Sequence, residues 1–311
     1  MYAAACMRPQ EALRNLDKAF TQFFRRVKRK KAGKWHGKVG YPHFKSRKNG
    51  VGKFRLTGTI RVFESHIQLP RLGRLKLKER GYLPTQEVHI LSATVSERAG
   101  RWFVSVQVEE EIKKPAPTQG KVVGVDLGVA NLATCSDGRR YPNPRALQQV
   151  QKRLRRLHRQ LSRQQKGSQN REKTRTKLAR THFRAANLRK DSLQKVTSAI
   201  LAKTKPARKR PRAVVLEDLN VEGLLSNHRL ARALADVGLA EFRFQIEYKA
   251  GWYGSQVRYA DRFFPSTKRC SRCGHQQELR LAERVYSCEH CGLVIDRDLN
   301  AAMNLEQLFY P

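Results

Sequence analysis

The chain has 311 residues, with 64 Lys or Arg against 26 Asp or Glu, which gives a formal net charge of +38 at pH 7. A surface of this charge repels itself, and a polyanion relieves the repulsion, so the composition excludes an ordinary metabolic enzyme and favours a nucleic-acid partner. Hydrophobic residues make up 40% of the chain, which excludes a disordered basic tail.

Length and hydropathy limit the architecture further. A chain of this length predicts roughly two domains. No apolar run reaches the ~18 residues of a membrane span, and the opening MYAAAC lacks the charged start and long apolar core of a secretion signal. We therefore expect a soluble, cytoplasmic protein without a membrane partner.

The N-terminal region combines an apolar stripe with a basic run. Apolar residues at three- and four-residue spacings predict an amphipathic helix over residues 11–27. Residues 25–48 then hold 11 Lys or Arg and no acid, interleaved with aromatic residues and glycines. This predicts a basic loop, either a solvated linker or a segment that follows phosphates while its aromatic rings stack on bases. The candidate nucleic-acid contacts are Arg25, Arg26, Lys28, Lys30, Lys31, Lys34, Lys45, Arg47 and Lys48.

Residues 54–111 alternate apolar and polar side chains between turn signals, which predicts a small antiparallel sheet or barrel. Two prolines and a glycine follow in the segment KKPAPTQG. They interrupt the periodicity and mark a boundary. We therefore predict a first domain over 1–116 that binds nucleic acid and a second over 117–311.

The second domain begins with the strand VVGVD, a tight turn and another strand, followed by a helical hairpin over 147–190 that breaks near 166–168. Residues 151–190 hold 15 Lys or Arg against one acid. Charged helix faces are usually only solvated, but like charges four residues apart destabilise a helix. We expect nucleic acid to compensate them, with contacts from Arg153, Arg156, Arg163, Lys166, Arg171 and Arg175.

The remaining elements follow in order. A short apolar strand, AVVLE, covers 213–217, and a helical stretch covers 231–253. QVRYADRFF predicts another strand, and a last helix is expected from about residue 299.

Four of the six cysteines form two CxxC pairs, Cys270 with Cys273 and Cys288 with Cys291, separated by 14 residues. Two such pairs complete a tetrahedral Zn²⁺ site without an open position. A closed site stabilises a fold and does not catalyse, so we predict a structural zinc site. The alternative is four unligated thiols.

Three acids stand out by position: Asp126 and Glu217 each end an apolar strand, and Asp298 lies in IDRDLNAAMN. Singly, such acids mostly cap helices or bind lysines, because burying one unpaired costs several kcal/mol. Together in a basic protein they predict a Mg²⁺ (or Mn²⁺) site that hydrolyses phosphodiesters.

Several blocks resemble a known family. GVDLGVANLATCSDG, VVLEDLNVEGL, EYKAGWYGSQV with DRFFPSTKRCSRCG, and YSCEHCGLVIDRDLNAAMNL are similar to the signature blocks of the TnpB (OrfB) proteins of bacterial insertion sequences, relatives of the type V CRISPR effector nucleases. The resemblance runs from about residue 10 to the end.

The resemblance implies a transposon-associated RNA-guided DNA endonuclease, with a guide RNA and a DNA target as partners. The implied fold is α/β, an RNase H-like RuvC domain with an inserted zinc ribbon over 265–294. An N-terminal β-barrel and helix region, wedge-like in the family, holds the guide and reads a motif beside the target. The family's catalytic acids match Asp126, Glu217 and Asp298, which is followed by Asn300. Asp296 is the neighbouring candidate that could assist Asp298, and Lys268 in the ribbon is a further nucleic-acid contact.

Two departures from the family qualify these expectations. Relatives generally have an extra strand and a helical recognition segment before the block matched by QEALRNLDKAF, so we expect a shortened reading frame with weaker target or guide binding. Relatives also often have His where Ile295 stands. Two rival functions follow: a nucleic-acid-binding relative that does not cleave, and a transposase that joins DNA strands.

Overall fold

The computed structural model describes residues 3–43, 52–83, 88–111, 115–226, 231–280 and 283–310, with side chains from residue 11 onward except that of Glu222. The chain divides into two compact units, Met1–Ile112 and Lys113–Pro311. Among the helices described, none combines the length and apolar character needed to cross a bilayer.

The first unit begins with a long helix and continues as antiparallel strands. Helix α1 is longer than predicted, because the basic run continues the helix until Gly33 adopts a left-handed conformation with φ 68°. The unit's elements are α1 (Ala3–Lys31), β1 (Lys53–Leu56), β2 (Arg61–Val62), β3 (His66–Leu69), β4 (Gly73–Lys76), β5 (His89–Arg98) and β6 (Arg101–Glu109).

The described strands of the first unit form two three-stranded antiparallel sheets, ordered β1-β5-β6 and β2-β3-β4. Ile67, Leu69, Ala93 and Val95 belong to one apolar cluster that both sheets share. The predicted antiparallel strands are present, whereas the predicted barrel is not confirmed, because both described sheets keep open edges. Closure depends on pairing between distant strands, which local alternation does not encode.

The second unit has a mixed α/β architecture. Its sheet has the order β11-β10-β7-β8-β9. Strands β11, β10 and β7 are parallel to one another, whereas β8 is antiparallel to both of its neighbours, β7 and β9. Its elements are β7 (Val123–Asp126), β8 (Asn131–Cys135), β9 (Arg140–Pro142), α2 (Ala146–Arg163), α3 (Gln169–Ile200), β10 (Ala213–Glu217), α4 (Val221–Ser226), α5 (Ala231–Val237), α6 (Leu239–Tyr253), β11 (Gln256–Ala260), β12 (Val285–Ser287), β13 (Val294–Asp296) and α7 (Arg297–Gln307).

The central strands are continuous apolar runs because both of their faces are buried. One face packs against α3 and α6, in a core that contains Leu193, Ile200, Phe242 and Ile246. The other face packs against α7 and includes Leu305 in its core. The helical hairpin forms as predicted, with its turn at 164–168, while Gly238 with φ 78° divides the predicted 231–253 helix into α5 and α6.

Candidate active site

Two of the predicted acids end neighbouring parallel strands. Strand β10 pairs with β7 in the register Val214 with Val123 and Leu216 with Val125. One further step along both strands places Glu217 beside Asp126, and adjacent strands lie about 4.8 Å apart. The carboxyl ends of β7 and β10 therefore bring these two acids to one edge of the sheet.

Both acids share the sheet face that α7 covers. Val122, directly before β7, and Val215 of β10 pack with Leu305 of α7. Side chains alternate between the faces of a strand, so residues 122, 124 and 126, like 215 and 217, share a face. Asp126 and Glu217 thus lie on the α7 side of the sheet.

Helix α7 approaches β7 at Gly124, where no side chain fits. A Cβ added at Gly124 would lie 2.0 Å from the carbonyl oxygen of Ala302 and 2.5 Å from the backbone nitrogen of Glu306. Asp298 is one helical turn before Ala302 and lies on the same stripe of α7. The close approach therefore sets the first turn of α7, with Asp298, on the side of the sheet that carries Asp126.

The three carboxylates interact electrostatically. Burial raises the pKa of Asp126 well above its ordinary value, and the negative charges of Glu217 and Asp298 raise it further, whereas Arg297 lowers it. Arg297 holds its Nε 3.8 Å from Asp298. Buried Asp126 and the partly buried Glu217 and Asp298 together form an acidic group of the kind that attracts a divalent cation.

The carboxylate oxygens are not gathered as tightly as ligands around one ion. Among the described residues, only the four cysteines place three or more possible ligand atoms within 4.8 Å of one another. Asp126, Glu217 and Asp298 are therefore neighbours without forming a closed single-ion cage.

Asp296 has a different local role from Asp298. Its carboxylate accepts a hydrogen bond from the backbone N–H of Leu299 at 3.0 Å, which caps the start of α7, and it lies 3.5 Å from Nη2 of Arg140. Helix α7 begins two residues earlier than the sequence predicted, because Asp296 is its N-cap. Asp298 is thereby in the first helical turn.

Glu217 and the next residue have opposite environments. Burial raises the pKa of Glu217, and a hydrogen bond from Ser266 Oγ to its Oε1 at 2.5 Å partly offsets this. Asp218 instead pairs with Arg243 at 2.8 Å and Arg262 at 3.1 Å, and these hydrogen bonds lower its pKa. Only Glu217 of this pair belongs to the acidic group.

The four cysteines form a zinc-ribbon-like cluster. Sγ of Cys270 lies 3.6 Å from that of Cys291, and the same distance separates Cys273 from Cys288. Each pair forms the same turn, in which the glycine after the second cysteine donates its N–H to the carbonyl of the first at 3.0 Å. Gly274 and Gly292 have φ 76° and 69°, as such turns need.

Amide side chains on α7 bind the segment that leads into the first cysteine pair. Asn304 Nδ2 donates to the carbonyls of Ser266 at 2.8 Å and Arg269 at 2.6 Å. Asn300 donates to Arg269 at 2.7 Å and accepts from the N–H of Ser271 at 2.9 Å. The helix that carries Asp298 is therefore bonded to the segment that carries Ser266.

Comparison with known proteins identifies the family. Two family models match, OrfB_IS605, described as "Probable transposase", over residues 94–228, and "Cas12f1-like, TNB domain" over 240–305. A Streptomyces pristinaespiralis protein named "Putative RNA-guided DNA endonuclease" is 38% identical over 300 residues, 95% of this chain and 69% of that protein. The chain belongs to the TnpB (OrfB) family of insertion-sequence proteins.

A second relative agrees with this assignment, and one solved structure is distantly similar. Escherichia coli (strain K12) has a TnpB relative named "Putative RNA-guided DNA endonuclease InsQ", 33% identical over 315 residues, 95% of this chain and 72% of that protein. A solved Cas12f1–sgRNA–target DNA complex is 20% identical, covering 70% of this chain and 57% of that chain with a TM-score of 0.45. Similarity at that TM-score is too low to transfer fold or function.

The basic residues predicted for this TnpB chain are mostly exposed. In the first unit these are Arg25, Arg26, Lys28, Lys30, Lys31 and Lys34, whereas Lys45, Arg47 and Lys48 lie outside the described residues. On the hairpin, the exposed predicted residues are Arg153, Arg156, Arg163, Lys166 and Arg175.

Three predicted contacts have protein partners, among them Arg175, whose Nη2 lies 2.8 Å from Oε2 of Glu172. Arg171 is half-buried, and its Nη1 donates to the carbonyls of Leu161 and Gln164 near the end of α2. This geometry gives Arg171 a capping role in the hairpin. Lys268 pairs with Glu278 at 2.8 Å.

Three residues at the site were not predicted from the sequence: Gly124, Ser266 and Arg297. Ser266 lies in a loop 49 positions from Glu217, and nothing in its neighbourhood signals that contact. Gly124 in VGVD had a usable signal, because a glycine inside an apolar strand often marks the close approach of another backbone. For Arg297, the sequence indicated only that a cation lies between two acids, Asp296 and Asp298.

Proposed function

We propose that this TnpB chain is an RNA-guided DNA endonuclease whose phosphodiester hydrolysis depends on Asp126, Glu217 and Asp298. The names of its relatives support the activity. The observation that carries the site is the placement of Asp126 and Glu217 at the carboxyl ends of two adjacent parallel strands, on the side where α7, with Asp298 in its first turn, rests against Gly124.

The acidic group suits Mg²⁺ or Mn²⁺, because hard divalent cations prefer carboxylate oxygens. Bound there, such ions supply an activated water and stabilise the leaving oxygen of the cleaved phosphodiester. Two ions about 4 Å apart need a wider ligand set than one ion.

The protein's own groups prepare this site. Asp126 and Glu217 hold their carboxyl groups on strands that cannot shift independently, because the two strands share a parallel ladder. Asp298 joins them from α7, and Arg297 offsets part of the charge. This arrangement has the RuvC type of acid order, Asp, Glu and Asp.

For the cysteine cluster we propose one structural Zn²⁺. Bonds of about 2.3 Å from a tetrahedral zinc ion to sulfur place the sulfurs about 3.8 Å apart. Two sulfur–sulfur distances are 3.6 Å, and all four sulfurs lie within 4.8 Å of one another, which matches that geometry. Four thiolates leave no open position, so this ion takes no part in hydrolysis.

The guide RNA and DNA target are proposed partners, and the charge distribution supports them. Exposed cations on α1 and on the hairpin would follow phosphates, whereas base pairing with the guide would supply sequence specificity. In this division of labour, the region 1–116 binds nucleic acid, while 117–311 cleaves. A cytoplasmic location stays a prediction.

The test is plasmid cleavage by the zinc-loaded protein with a guide RNA transcribed from the DNA beside its gene. Cleavage is expected in Mg²⁺ and not in EDTA. Asp126→Ala should abolish cleavage and retain RNA and DNA binding, while Asp191→Ala, which removes an exposed aspartate paired with Lys195, should cleave normally. Binding without any cleavage would support the non-cleaving relative, and strand-transfer products would support the transposase.

A further inference from the structure

We propose that Ser266 is a positioning residue for Glu217, with its hydroxyl fixing one carboxylate oxygen so that the other is presented to a divalent cation. The inference rests on the proposed function. Ser266 Oγ donates to Glu217 Oε1 at 2.5 Å, across 49 positions of sequence. The contact leaves Oε2 of Glu217 for a cation.

The backbone of Ser266 is fixed by hydrogen bonds on both sides of the residue. Ser266 is 4% exposed, and its N–H donates to the carbonyl of Phe264 at 2.8 Å. Its carbonyl accepts from Nδ2 of Asn304, itself 1% exposed. A buried serine anchored on both sides of its peptide group has little freedom to turn away from Glu217.

The anchor ties Glu217 to the third acid. Asn304 is on α7, the helix whose first turn carries Asp298. Asn304 also bonds Arg269, directly before the first cysteine of the cluster. Ser266 therefore connects the carboxylate of Glu217 on β10 to α7, the helix that carries Asp298. The segment from Ser266 to Arg269 also links the cysteine cluster to the acidic group.

A packing role alone would give a different result. Ser255 is a matched case: it is 8% exposed, and its hydroxyl donates to the carbonyl of Pro211 at 2.7 Å, beside the first residues of β10 and β11. Ser255→Ala removes a buried serine hydrogen bond of the same kind from the opposite end of these strands. Both alanine variants should lose stability, but only Ser266→Ala should change metal binding.

The experiment measures Mn²⁺ affinity of the full-length, zinc-loaded chain by electron paramagnetic resonance, and separately the Mg²⁺ concentration for half-maximal cleavage with guide RNA. Losing an outer partner of a ligating carboxylate typically costs about 10–100-fold in metal affinity or activity. We expect Ser266→Ala to lower the Mn²⁺ affinity and to raise the required Mg²⁺ concentration, each by about 10-fold or more. Ser266→Thr should keep both quantities within about threefold of wild type, and Ser255→Ala should leave both unchanged.

Mn²⁺ affinity within twofold of wild type for Ser266→Ala would overturn the proposal, as would a loss that Ser266→Thr does not restore. Should Ser266→Ala fail to fold, Ser266→Cys, which keeps the volume with a weak donor, is judged by the same thresholds. A wild-type chain that binds Mn²⁺ through Asp126 but never cleaves would contradict the proposed function. The role of Ser266 would then be decided by the Mn²⁺ affinity of Ser266→Ala alone.

Discussion

Gly124→Ala tests how closely the placement of α7 controls the acidic group. The added Cβ would meet helix backbone, the carbonyl of Ala302 at 2.0 Å, and that contact must open by about 1 Å to reach the 3.0 Å below which Cβ contacts essentially never occur. Forced overpacking costs about 1–3 kcal/mol, and Tm falls by about 2–4 °C for each kcal/mol in a unit of this size.

The functional effect should exceed the loss of stability. A 1 Å displacement of α7 moves Asp298 relative to Asp126, and misplacement of that size costs about 100-fold in rate. We expect single-turnover plasmid cleavage to fall about 100-fold at a temperature where the variant remains folded, with guide RNA binding retained.

Gly251→Ala is the matched control, because its Cβ meets nothing within 4 Å and the residue lies in α6. Alanine there should raise stability by about 0.5–1 kcal/mol and leave cleavage unchanged. Cleavage by Gly124→Ala within threefold of wild type, with an unchanged Tm, would refute the argument that α7 rests directly on β7.

Three further variants test other parts of the account. Burial and the neighbouring carboxylates raise the pKa of Asp126 in the folded state, so its stabilising contribution is full below the unfolded-state pKa of about 3.9 and is lost as pH rises toward the folded-state value. Asp126→Asn should therefore raise the Tm of the metal-free protein, by about 2–4 °C for each kcal/mol of relieved charge burial. The gain over wild type should grow as pH rises from 4 to 7. Thermal scans in which the variant and wild type have the same Tm across that range would contradict this. Cys288→Ser should reduce zinc content, measured by mass spectrometry, below the one ion per chain expected for wild type and lower the Tm; full zinc retention would contradict a four-cysteine site. Arg156→Ala should reduce the slope of log affinity against log salt by about 0.7–0.9 if that side chain holds one phosphate, while Arg175→Ala, which removes a cation already paired with Glu172 at 2.8 Å, should change the slope less; equal slopes for Arg156→Ala and wild type would remove Arg156 from the interface.

The parts of the fold that follow from local pattern could be predicted. VVGVD and AVVLE indicate buried strands because parallel strands covered on both faces lack polar alternation. The two CxxC pairs predicted their cluster for a similar reason, since each turn is local and the two turns are alike. The break between α2 and α3 also followed from local chemistry, with Ser168 as the N-cap of α3.

Two helix boundaries and the contacts between distant residues could not be predicted. The extension of α1 to Lys31 was missed because a run of like charge weakens a helix without ending it. The start of α7 was placed two residues late because a capping aspartate and a metal-binding aspartate are alike in sequence. The Ser266 contact and the close approach at Gly124 arise from tertiary packing alone.

The proposed nuclease activity requires that Asp126, Glu217 and Asp298 together hold divalent cations. Its most direct test is anomalous diffraction from crystals of the zinc-loaded protein soaked in Mn²⁺. We expect Mn²⁺ density within about 2.2 Å of a carboxylate oxygen of each of the three acids, and no such density in Asp126→Ala crystals. Mn²⁺ density at other sites only, with these three carboxylates uncoordinated, would contradict it.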